Sequence, residues 1–78
     1  MVTPEQVQRY IEKGLQCSEV RVVGDGEHFE ARVVSEAFRG KSRVQRHQLV
    51  YAALGERMRG EIHALSMRTL TPEEAANG

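Results

Sequence analysis

Between Phe38 and Met58 the chain reads FRGKSRVQRHQLVYAALGERM, and no other stretch limits the fold as strongly, because it describes the longest helix of the sequence. Ser42 is a suitable N-cap. From there Val44, Tyr51, Leu54 and Met58 recur at helical spacing with Val50 alongside, which predicts one apolar stripe ending at Gly60. Burial of five such side chains, at about 1.5 to 3 kcal/mol each before chain entropy, would make this helix the main contributor to a small core. The remaining elements must supply the surface it packs on.

A chain of 78 residues is one domain, 1–78, and its core is too small for a deep enzyme cleft. An enzyme is therefore not expected. The single cysteine, Cys17, allows no internal disulfide and no zinc site with several Cys ligands, which fits a reducing, cytoplasmic setting. The start, MVTPEQVQRY, lacks the pattern of a signal peptide, and no run of 18 apolar residues occurs, so a soluble protein without a membrane anchor is expected. Eleven basic residues balance eleven acidic ones, but their distribution is uneven. Between Arg39 and Arg59 there are six Arg or Lys and one acid, Glu56.

Taken in order, Thr3-Pro4-Glu5-Gln6 combines an N-cap, a proline at the first helical position and a capping Gln. Val7, Tyr10, Ile11 and Leu15 form the inward face of the helix that follows. Cys17 lies just beyond it, with no partner at short spacing to suggest a ligand or redox role. Two segments then alternate, with Val20 and Val22 on one face of the first and Phe29, Ala31 and Val33 on one face of the second. Gly24-Asp25-Gly26 between them predicts a tight hairpin. His28, at the start of the second strand, points away from the core set. On spacing alone an exposed histidine there is better explained as an idle surface residue than as a ligand.

Gly40-Lys41-Ser42 resembles the end of a phosphate-binding loop, but position 35, where the loop needs its first glycine, is Ser. A nucleotide site is rejected. Arg39, Lys41, Arg43 and Arg46 crowd the N-terminus of the long helix, where positive charge opposes the helix dipole. They read either as a solvated patch or as a surface for phosphates or an acidic partner. His47 falls within the apolar stripe and is expected to be packed. A third strand runs from Ile62 to about Thr69, with both faces partly apolar, and Thr71-Pro72-Glu73-Glu74 starts a short terminal helix expected to fray.

The predicted order is αββαβα. The connection through the long helix should cross over right-handed and leave strands two and three parallel. His28 and His63 would then stand at the same end of the sheet. On adjacent strands, about 4.8 Å apart, both imidazoles could approach one metal centre if they face the same way, with a partner completing the ligand set.

The segments GDGEHFEARVVSEAF, FRGKSRVQRHQLVY and IHALSMRTLTPEE together resemble the BolA family, and the Gly-Asp-Gly-x-His-Phe loop is similar to its bacterial BolA-like subgroup. The resemblance spans Val20 to Glu74. It implies an α+β fold similar to class II KH domains, with a three-stranded mixed sheet and helices packed on one face. The KH signature loop Gly-x-x-Gly is missing between Phe38 and Val44, so nucleic-acid binding does not carry over from KH domains.

The resemblance further implies a monothiol glutaredoxin as partner and a shared 2Fe–2S cluster, to which the glutaredoxin cysteine and glutathione bring sulfur and the BolA protein brings histidine. The family's C-terminal ligand falls on His63, and its loop ligand, Cys or His in different members, falls on His28. Imidazole in place of thiolate is expected to raise the cluster potential and to make ligation proton-dependent. Cys17 lies outside that loop. The family's other implied role is DNA-binding transcriptional regulation in a stress response, for which Arg39, Lys41, Arg43 and Arg46 are the candidates. The expected protein is a monomer alone and a heterodimer with its partner, acting as an adaptor in iron–sulfur trafficking or redox regulation.

Overall fold

Thr3 Oγ1 accepts the Gln6 N–H at 3.2 Å while Gln6 Oε1 accepts the Thr3 N–H at 2.9 Å, and this reciprocal cap starts α1 (Pro4–Gly14) at the expected proline. The computed structural model describes residues 2–25, 27–57, 60 and 64–78. Val7 and Ile11 are fully buried on α1, and Tyr10 and Leu15 pack at the margin of the same cluster. β1 (Glu19–Gly24) and β2 (Phe29–Val34) pair antiparallel, and the inward set of Val20, Val22, Phe29, Ala31 and Val33 is the expected one. At the hairpin tip Asp25 Oδ1 accepts the backbone N–H groups of Glu27 and His28, both at 2.9 Å. The carboxylate does there what a backbone carbonyl does in an ordinary turn.

Ser35 is fully buried where β2 ends. Its N–H donates to the Leu70 carbonyl, its hydroxyl donates to the Gln16 carbonyl at 2.6 Å, and the same oxygen accepts the Ala37 N–H. That last bond caps a 3-10 helix, Glu36–Phe38, which the sequence pattern does not mark. Gly40, at φ 75°, then turns the chain into the Ser42 cap of α2.

α2 (Arg43–Leu54) departs from expectation in two ways. It ends at Gly55, φ 59°, and not at Gly60, so the helix is shorter than its apolar pattern suggested. Its inward face is also partly different: Val50 and Leu54 are buried as expected, but Ala53 joins them, whereas Val44 and Tyr51 are 65% and 40% exposed. The inward face is thus turned toward Ala53 by less than one residue, under about 100°, from the predicted stripe. The cause lies in two inward positions that do not look apolar enough to count. Arg46 lays its stem inward, and Ala53 meets Gly14 of α1 so closely that a Cβ on Gly14 would fall 2.7 Å from the Ala53 Cα. Met58 lies outside the described residues.

β3 (Leu65–Leu70) pairs with β2 in parallel, Phe29 against Leu65 and Val33 against Thr69, giving the sheet order β1-β2-β3. The crossover therefore runs as expected. Leu65, Met67 and Thr69 share the inner face with the β2 core set, which settles the orientation left open by pattern, while Ser66 and Arg68 stand on the open face. α1 and α2 cover the inner face, and the core closes on Phe29, Phe38, Ile11 and Leu54. α3 (Pro72–Asn77) begins with another reciprocal cap, between Thr71 and Glu74.

Candidate functional site

His28 precedes Phe29, the first residue of β2, and Ala64 precedes Leu65, the first of β3. The parallel register therefore puts the histidine segment and the entry to β3 at one edge of the sheet. His28 is exposed, and its backbone is held by the Asp25 carboxylate, whose own pKa is lowered chiefly by the hydrogen bonds from His28 and Glu27. A ring presented in this way is open to a second molecule. His63, the other expected ligand, and the facing direction on which the pairing depends, lie outside the described residues. Among the described residues no three of His, Cys, Asp and Glu gather closely enough to hold a metal ion.

Cys17 belongs to the opposite edge. Ser18 donates its N–H to the Val34 carbonyl, so Cys17 sits beside the far end of β2, about 20 Å of strand away from His28. Its thiol donates to the Leu15 carbonyl at 3.2 Å, and burial, with a smaller contribution from Glu12, pushes its pKa up. It is a poor thiolate source for the histidine edge.

The four basic candidates near α2 divide into two pairs. Arg39 forms ion pairs with Glu36 at 2.9 Å and with Glu73 of α3, which hold its pKa well above the usual arginine value. Arg46, with its side chain only 14% exposed, donates Nε to the Lys41 carbonyl at 3.0 Å and Nη1 to the Thr69 carbonyl at 3.2 Å. It also binds Glu74 at 2.7 Å and lies over the Phe38 ring at 5.9 Å. That guanidinium, then the Thr71 N–H, lowers the Glu74 carboxyl to about 2. These two arginines fasten α3 to the body, so the tail helix expected to fray has two ion-paired anchors. Lys41 and Arg43 are exposed and form no ion pair among the described residues. His47 is half-buried as expected, and desolvation and then Arg43 lower its pKa.

One basic feature was not anticipated. Arg21, Arg32 and Arg68 are direct neighbours across the open face, one on each strand. Arg32 pairs with Glu19 at 3.0 Å; Arg21 and Arg68 have no carboxylate partner among the described residues. The sequence carries the signal as a basic residue at one outward position of every strand, which the apolar alternation does not single out.

A family model described as BolA-like protein matches residues 8–74. The chain belongs to the BolA family. It is 42% identical over 72 residues to the acid stress protein IbaG of Escherichia coli K12, an alignment that covers 91% of this chain and 86% of that protein. A solved BolA homologue from Coxiella burnetii superposes with a TM-score of 0.81 at 49% identity, covering 97% of this chain and 99% of the other. The BolA domain of SufE1 from Arabidopsis thaliana gives 0.74 at 40% identity, covering 91% and 93%. The BolA match takes in both strands of the hairpin, the His28 loop, α2 and β3, so every element that frames the candidate site lies inside it. Among the described residues no helix is long and apolar enough to cross a membrane.

Proposed function

We propose that this BolA-like chain is a non-enzymatic adaptor in iron–sulfur trafficking or redox regulation, pairing with a monothiol glutaredoxin and sharing a 2Fe–2S cluster through His28 and His63. The observation that carries the reading is the parallel pairing of Phe29 with Leu65, because it gives the exposed His28 and the chain entering β3 a common edge. Family membership supports it, and the occurrence of a BolA domain within a SufE protein is consistent with an iron–sulfur role. When bound, the cluster would supply a redox-active iron pair held partly by imidazole. The residues of this chain have simpler tasks. His28 offers a ring nitrogen from an exposed position, and the Asp25 carboxylate holds the backbone from which that ring projects.

The test is anaerobic reconstitution with a monothiol glutaredoxin and glutathione, followed by visible circular dichroism. A spectrum distinct from that of the glutaredoxin alone is expected, abolished by His63→Ala and weakened by His28→Ala. Unchanged spectra in both variants would remove the ligand assignment. Duplex DNA remains the competing partner, but Arg39 and Arg46 bind α3, leaving Lys41 and Arg43 as its candidates. It would require affinity that falls steeply with salt in the absence of glutaredoxin.

A further inference from the structure

Among the described residues no strand pairs with the outer edge of β3, and two hydrogen bonds show which of its backbone groups face outward. The Ser35 N–H on the β2 side reaches the Leu70 carbonyl, whereas the Thr69 carbonyl is met from the other side by Arg46 Nη1. In a strand, the N–H and C=O of one residue point the same way and alternate from residue to residue. The N–H and C=O of Met67 therefore project from the free edge, and neither has a hydrogen-bond partner among the described residues.

Beside this edge lies a cleft of about 440 Å³, lined by Lys41, Arg43 and His47 of the α2 segment and by Met67 and Arg68 of β3. Its size is within the roughly 300–1,000 Å³ of ordinary ligand clefts. Its one carboxylate, Glu74, is bound to Arg46, while Lys41, Arg43 and Arg68 have no ion pair among the described residues.

We propose that this edge is a docking site for an acidic, extended segment of a partner protein, added to the sheet as a fourth strand beside Met67. An added strand would lie about 4.8 Å from β3 and direct alternate side chains to opposite faces. On the open face its side chain opposite Arg68 would extend the row Arg21, Arg32, Arg68, where a like charge is unfavourable and a carboxylate relieves the repulsion. On the helix side the intervening residues would face the cleft that Lys41 and Arg43 line. Both faces of the incoming strand thus select acid.

Two other occupants fit less well. Among the described residues the cleft holds no Phe, Tyr or Trp, and the single imidazole of His47 is half-buried, so the row of exposed rings on which single-stranded nucleic acid stacks is missing. A second copy of this chain would bring its own Arg68 to the same edge, the kind of charge that guards a free strand against self-pairing. The site centres on Met67, midway along β3 opposite Ala31, and its backbone and basic groups are not those of the proposed cluster ligation, so the inference stands independently of it.

The experiment uses a fluorescein-labelled peptide of repeating valine–glutamate–glutamate units, which carries acid to both faces of an added strand, followed by anisotropy and by amide NMR of the whole chain. Binding is expected to shift the Met67 amide and slow its exchange about tenfold. Affinity should fall about tenfold or more with Arg68→Glu, with Lys41→Glu, and with a peptide N-methylated at alternate residues, which removes the edge hydrogen bonds without touching the protein. An unshifted Met67 amide, or equal binding of the lysine–valine counterpart, would overturn the proposal. So would tighter binding of a single-stranded DNA oligomer at the same amides, or protection of Met67 that grows with protein concentration alone.

Discussion

Replacing Arg46 by alanine tests whether that side chain is a structural clamp or a surface contact. Its guanidinium donates to two backbone carbonyls, of Lys41 and Thr69, at about 1 kcal/mol net each. The pair with the half-exposed Glu74 adds up to about 1 kcal/mol, and the buried stem with its position over Phe38 a similar amount. Arg46→Ala should therefore cost about 3 kcal/mol. For a chain of this length 1 kcal/mol corresponds to about 4–8 °C, so the melting temperature should drop by roughly 15 °C. Urea denaturation with matched slopes gives the free energy directly, and Arg46→Lys should recover part of it, because one ammonium cannot reach all the acceptors of the fork. A variant within about 0.5 kcal/mol of the parent would refute the clamp. The result also bears on function, since any loss of binding by Arg46→Ala has to be separated from loss of α3, whereas Lys41→Ala should leave stability unchanged.

Glu74 titrates near 2 in the folded chain, below its unfolded value near 4.5, so the unfolded chain binds more protons between these limits and stability rises with pH across them. Its contribution should be complete above pH 4.5 and lost as pH falls toward 2; the midpoint difference between parent and Glu74→Gln, followed by urea denaturation at several pH values, should close over that window, and a gap that stays constant would refute it. Gly14→Ala should destabilise despite the better helix propensity of alanine, because its Cβ would meet the Ala53 backbone at 2.7–2.8 Å; a cost of about 1–2 kcal/mol by urea denaturation is expected, and a stabilised variant would mean that the helices separate freely.

Much of the architecture was legible because the relevant physics is local. Thr3 with Gln6 and Thr71 with Glu74 are reciprocal caps readable from four residues each, and the alternation from Val20 to Val33 gave both strands and their inward faces. The parallel placement of β3 followed from a general rule of crossover connections. The rotation of α2 was not readable. It depends on the contact of Ala53 with Gly14 and on the fate of Arg46, whose carboxylate partner is 28 positions away. Gly55 does not stand out as the helix end in the sequence, because Met58 continues the apolar spacing beyond it. Within the candidate site, the outward direction of His28 followed from strand parity. The division of the basic residues did not, because Arg39 and Arg46 are told apart from Lys41 and Arg43 only by carboxylates on a helix at the other end of the chain.

The central position of β2 ties the candidate edge to the order in which the chain is assembled. Its partner in β1 is close in sequence, Gly24 against Phe29, and such a hairpin can close on a microsecond scale. Its partner in β3 is distant, Phe29 against Leu65, and that pairing must wait until α2 has crossed the sheet. A nascent or partly opened chain can therefore display the His28 loop in near-native form while lacking the strand that completes its edge. Recognition that needs both strands acts as a proofreading step, engaging only chains that have finished folding.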